Sequence, residues 1–157
     1  MLKFLCGAIT SIVLVAGLPH GSLASETIAV DREFALKREI EIDVTPSGIV
    51  LQFNSPINAV NLSHLGEIVF QGVDGELCEL STSCTAETAP TMLLLKKIPK
   101  IDFPDLEPTT DGTAMLYVDT ASGLYRFELT PKSQKPEYTK VEINDEPMSP
   151  LFESKKP

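Results

Sequence analysis

The sequence predicts an all-β protein, a β-sandwich of about 7–9 short, mainly antiparallel strands. Three observations predict it. Several runs alternate apolar and polar residues with a period of two. Turn chemistry separates these runs at spacings of about 8 to 12 residues. No segment carries a sustained apolar stripe at helical spacing.

The chain of 157 residues opens on an export signal. Lys3 is the only charged residue before Glu26, and Phe4 to Leu18 is dominated by Leu5, Ile9, Ile12, Val13, Leu14 and Val15. That run is shorter than the roughly 20 apolar residues that span a bilayer. Pro19 and Gly21 end it, and Ser22-Leu23-Ala24 supplies the small residues a signal peptidase reads. Cleavage is expected between Ala24 and Ser25. An uncleaved anchor fits the breaker residues less well, and Cys6 precedes most of the apolar run, where a lipid-modified cysteine would follow it.

Residues 1–24 are thus expected as signal peptide, 25–143 as the β-sandwich domain and 144–157 as a flexible, largely disordered tail. Removing 24 of 157 residues leaves 133, enough for one domain with an ordinary core. Only Lys3 is lost among the basic residues, so the formal charge goes from −9 to −10. Such a surface repels nucleic acid and anionic head groups and favours a basic partner. The expected location is periplasmic or secreted, with no transmembrane segment after processing and no direct contact with nucleic acid.

The elements follow in order. In Phe34 to Val44 the even positions are apolar except Arg38 and most odd positions are charged, which predicts a half-buried strand. Thr45-Pro46-Ser47-Gly48 is a turn, because proline presets its φ and glycine tolerates the reversal. Ile49 to Phe53, Ile57 to Leu62 and Glu67 to Gln71 are further strand runs, the last closed by Gly72-Val73-Asp74-Gly75. Leu77 to Leu80 is a candidate short strand. Met92 to Leu95 has some helix propensity, but Pro90 and Pro99 crowd it and favour a strand. Pro99, Pro104 and Pro108 make Ile98 to Gly112 an extended surface loop.

The clearest unit is a hairpin. Ala114 to Asp119 and Leu124 to Leu129 flank the turn Thr120-Ala121-Ser122-Gly123, with Tyr125, Phe127 and Leu129 on one face and Arg126 and Glu128 on the other. Tyr138 to Ile143 is the last expected strand. From Asn144 onward little apolar surface remains to offset ordering entropy; Met148, Leu151 and Phe152 are the exceptions, and could form a short docking segment.

Candidate chemistry is sparse. Cys78 and Cys84, close together in an exported chain, are expected to form a structural disulfide, worth about 2 kcal/mol on the chain-entropy model. The spacing is not Cys-x-x-Cys, and without clustered histidines the pair makes no zinc site. His20 lies in the signal, leaving His64 as the one other histidine. Its neighbour Ser63 would point to the opposite face of a strand, and no Gly-x-Ser-x-Gly elbow occurs, so His64 is expected at a turn or surface. Asp102, Asp105, Glu107 and Asp111 lack the spacing of a calcium loop. Asn61-Leu62-Ser63 matches the N-glycosylation pattern. No catalytic residue, cofactor or metal site is assigned, and the chain is not expected to be an enzyme.

Ile49 to Leu62 (IVLQFNSPINAVNL), the strand Glu67 to Gln71 and the hairpin MLYVDTASGLYRFEL occur in an order that resembles the periplasmic TraK-like proteins of conjugative type IV secretion systems. The resemblance covers about two thirds of the processed chain. It implies an exported β-domain with an early strand pair set around a proline, here Pro56, and a late hairpin carrying aromatic-x-aromatic-x-Leu, here Tyr125, Phe127 and Leu129. It further implies a structural part of an outer-membrane core complex, with envelope proteins as partners. The chain is shorter than the longer members of that family, and Cys78 and Cys84 have no counterpart in the pattern. A periplasmic or secreted module binding a small ligand or glycan is the alternative; the absence of tryptophan argues against it. A small carboxylate-using hydrolase is a third reading.

Overall fold

A computed structural model describes residues 26–64, 66–77, 87–104, 112–134 and 137–144. Nine strands and one short helix follow one another among them. They are β1 (Thr27–Asp31), α1 (Arg32–Lys37), β2 (Glu39–Val44), β3 (Ile49–Gln52), β4 (Ile57–Leu62), β5 (Ile68–Gly72), β6 (Met92–Lys97), β7 (Ala114–Thr120), β8 (Gly123–Pro131) and β9 (Lys140–Asn144). The protein is an all-β sandwich, as its period-two patterning predicts. One sheet has the order β1-β9-β3-β6-β5 and the other β2-β8-β7-β4.

Alternation sets which side chains meet between the sheets. Ile40, Ile42 and Val44 of β2 are buried while Glu39, Glu41 and Asp43 are exposed. Tyr125, Phe127 and Leu129 of β8 point inward, as expected. Ile49, Leu51, Leu93, Leu95, Val141 and Ile143 face them from the other sheet. Phe53, just after β3, brings the layers together, with ring centroids 5.2 Å from Tyr125 and 6.1 Å from Phe127. These tilted and edge-on contacts are the favoured aromatic geometries.

The hairpin β7–β8 pairs in register from Ala114 beside Leu129 to Thr120 beside Gly123, leaving Ala121 and Ser122 as a two-residue turn. The Thr120 hydroxyl takes the Ser122 N–H at 3.1 Å and donates to the Gly123 carbonyl at 3.1 Å. Gly123 has φ of 134°, a conformation that disfavours a side chain.

Three features differ from the sequence reading. The strand expected from Phe34 starts only at Glu39, because Arg32–Lys37 is helical. Asp31 caps this helix, its side chain accepting the Phe34 N–H at 2.9 Å, and Lys37 reaches Glu33 at 3.1 Å one turn away. Ala35 is buried, and Phe34 and Leu36 pack on the core. Second, Thr27–Asp31 is a strand with no counterpart among the expected runs; it buries Ile28 and Val30 beside β9. Third, Asn144 ends β9 and belongs to the sheet, not to the tail. The strand expectation over Met92 to Leu95 holds as part of β6, and Ile98 to Pro104 is irregular as its prolines predict.

Four of the seven strand pairings are antiparallel; β1–β9, β2–β8 and β3–β9 are parallel. This mixture follows from two long returns. β8 ends beside β2, and β9 comes back between β1 and β3.

The two flanks of the sandwich differ. On one, α1 joins edge strand β1 to edge strand β2. On the other, edge strand β4 passes to edge strand β5 through the short connection 63–67.

Candidate functional site

Several residues singled out in the sequence lie outside the described residues: Cys78 and Cys84 with their expected disulfide, Ala24 and Ser25 at the expected cleavage point, and Asp105, Glu107 and Asp111. So do residues 78–80 of the candidate strand at Leu77 to Leu80, and the tail beyond residue 144. Leu77 itself is not in a strand. Asp102 is described; it is exposed and lies 3.5 Å from Lys100.

Ser63 and His64 do not form a nucleophile and base. The Ser63 hydroxyl receives the Met115 N–H at 2.8 Å, and the Ser63 N–H goes to the Met115 carbonyl at 2.8 Å, so this serine extends the β4–β7 ladder. His64 is half-buried and lines a cleft of about 70 Å³ with Gly66, Glu67, Ile68, Lys100, Gly112 and Ala114. That space holds a couple of water molecules and is far below the 300 Å³ or more of common ligand pockets. Glu67 at its wall is 3.9 Å from Lys97. Among the described residues no group of three or more His, Cys, Asp or Glu is placed to hold a metal ion. No helix among them is long and apolar enough to cross a membrane.

The stronger candidate is an interaction surface made by the edge strands. An edge strand directs alternate peptide groups away from its sheet, and these attract another strand unless they are guarded. β2 is guarded. Its solvent face carries Glu39, Glu41 and Asp43, and the Tyr138 hydroxyl lies against the Asp43 backbone. Burial of this phenol, with the Asp43, Glu137 and Glu41 carboxylates nearby, raises its pKa above the ordinary 10.0. β1 runs directly into α1, which packs against both β1 and β2.

Among the described residues the opposite flank is open. β4 pairs with β7 through Ala59 beside Asp119 and Asn61 beside Tyr117, and the Ser63–Met115 bond fixes the phase. The peptide groups of Val60 and Leu62 are therefore turned away from β7, and neither has a hydrogen-bond partner among the described residues. On β5, bonds from Ile98 N–H to Glu67 O and from Val73 N–H to Met92 O turn Ile68 and Phe70 outward in the same way. Neither Ile57–Leu62 nor Ile68–Gly72 contains a charged residue or a proline.

Exposed apolar side chains accompany this flank. Val69 on β5 is 40% exposed and Val73 just after it 50%. Ile101, 48% exposed, is held by its N–H to the Gly66 carbonyl, between β4 and β5; Phe103, two residues on, is 39% exposed. The solvent face of the β4-containing sheet is acidic instead, with Glu39, Glu41, Asp43, Asp119 and Glu128 arrayed around Arg126 and Tyr117. Glu41 lies beside Glu128 in register.

The free edges were not visible in the sequence, because edge status depends on sheet order. The signal that was present is compositional: Ile57 to Leu62 is an uncharged run in a chain with 35 charged residues among 157.

No protein-family model matches this chain, and no curated protein compared with it does.

Proposed function

We propose that this chain is an exported, non-enzymatic β-domain that acts by protein–protein contact, as a TraK-like structural component of a conjugation or type IV secretion envelope complex. The observation that carries the contact reading is the open flank, where two uncharged edge strands lie beside Val69, Val73, Ile101 and Phe103. Strand addition at such edges uses main-chain hydrogen bonds for affinity and neighbouring side chains for selectivity.

The TraK-like assignment draws its support from sequence order. IVLQFNSPINAVNL supplies β3, the Phe53–Pro56 crossing and β4; Glu67 to Gln71 supplies β5; the aromatic-x-aromatic-x-Leu hairpin is β7–β8. Those segments build the open flank and the sheet behind it. The acidic face is suited to a basic partner surface, and the charge steers its approach. Partners are expected among envelope proteins.

The test is cell fractionation followed by affinity purification of the tagged chain from lightly crosslinked envelopes. The expected result is a processed chain beginning near Ser25, outside the cytoplasm, recovered with envelope secretion proteins. An intact chain in the cytosol, or a processed chain recovered alone after crosslinking, overturns the proposal.

A further inference from the structure

We infer that β4 is the docking strand for a second copy of this chain, the two β4 strands pairing antiparallel about a two-fold axis at Asn61. This deepens the contact reading and rests on it, and it names one occupant of the open flank.

The geometry at the edge is self-complementary. Val60 and Leu62 present outward peptide groups that lack partners among the described residues. In an antiparallel pair centred on Asn61, Val60 of one copy faces Leu62 of the other, and each couple exchanges two main-chain hydrogen bonds. Val60 and Leu62 both pack against the core, so their side chains meet on the apolar side of the joined sheet. Asn61 is exposed, on the solvent side, where its amide meets the same amide across the axis. The bulge between Ile57 and Ala59 ends the regular segment on one side, which limits pairing to the stretch around Asn61.

Charge selects a second copy at this edge and excludes one elsewhere. The chain has a formal charge of −9, so most of its surface repels itself. Pairing through β2 would set Glu39, Glu41 and Asp43 against the same residues. β4 brings no ionised group to the axis; the nearest carboxylate on that face, Asp119, lies one strand in, on β7. Because the sheet order is β2-β8-β7-β4, the joined eight-stranded sheet places both acidic β2 strands at its far ends. Val69 on β5, with Ile101 and Phe103 in the irregular stretch after β6, exposes apolar surface beside the same opening.

The test uses the processed chain alone, so its outcome is separate from any failure to recover envelope partners. Sedimentation equilibrium is run on the wild type, Asn61→Lys, Asn61→Glu and an equimolar mixture of the two variants. A two-fold axis at residue 61 brings like charges together in each variant and opposite charges together in the mixture. The expected result is a wild-type dimer, at least tenfold weaker association of each single variant, and dimer restored in the mixture. A wild type that stays monomeric at every concentration, or single variants that associate as tightly as the wild type, overturns the inference. So does a mixture no tighter than its components. Amide exchange on the wild type gives a second reading that needs no substitution. The Val60 and Leu62 amides are expected to gain protection as concentration rises, and constant fast exchange at both overturns the pairing.

Discussion

Asp74 is the most instructive residue to change, because one carboxylate fastens the end of β5 to the start of β6. It accepts the Thr91 N–H at 2.9 Å, the Met92 N–H at 2.8 Å and the Thr91 hydroxyl. Asp74→Ala leaves those donors to water. A hydrogen bond to a buried charge is worth about 1.5–3 kcal/mol, but Asp74 is exposed and solvent replaces most of what is lost. The net loss is then about 1–2 kcal/mol, or roughly 4–8 °C in Tm for a domain of this size. The linkage to pH gives a sharper signature. Partial burial alone would raise the pKa of Asp74; the hydrogen bonds from Thr91 and Met92 outweigh it and hold the carboxyl below its ordinary 3.8. A depressed folded-state value contributes stability above the unfolded pKa and loses it as pH falls through the folded one. Urea titrations of wild type and Asp74→Ala at pH 7 are expected to differ by that 1–2 kcal/mol, and to draw together as pH falls below the ordinary 3.8 and through the lowered folded-state value. Superimposed curves at pH 7, or a gap undiminished in acid, would refute the reasoning.

Three further outcomes are expected. Phe127→Ala removes the ring that meets Phe53 at the centre of the sandwich and should cost about 3–5 kcal/mol by chemical denaturation, a large share of a small domain's stability. Asp31→Ala removes the cap of α1 and should cost about 1 kcal/mol, with Asp31→Ser restoring most of it. The raised Tyr138 pKa means the folded state holds its phenolic proton more tightly than the unfolded chain. Its contribution is complete below about pH 10 and is lost as pH rises through the folded value, so Tyr138→Phe should flatten the alkaline stability profile.

Local pairings were legible in the sequence and distant ones were not. The β7–β8 hairpin could be read because its strands are joined by two residues and its inward side chains, Tyr125, Phe127 and Leu129, alternate without interruption. β3, β4, β5 and β6 were legible as strands, but their partners were not: β3 and β4 follow one another in the chain yet enter different sheets, β3 beside β6 and β9 and β4 beside β7. α1 was not, because Phe34, Leu36 and Ile40 fit a period of two, and a helix of six residues is too short to display its own period. Its signals were Asp31 at the cap and Glu33 paired with Lys37. The parallel pairs of β1 with β9 and β2 with β8 join opposite ends of the chain, and no local pattern encodes them. The open flank inherits that difficulty, since β4 is an edge only because β2, β8 and β7 take the other places in its sheet.

Contact through the β4–β5 flank is most directly tested by placing a photoreactive residue, one position at a time, at Asn61, Val69, Ile101, Glu33 and Glu41 in cells that make the full chain. If the open flank is where the protein works, illumination yields protein adducts from positions 61, 69 and 101, and little from position 33 beside the guarded edges. Adducts concentrated at positions 33 and 41, or none from the flank, would contradict it.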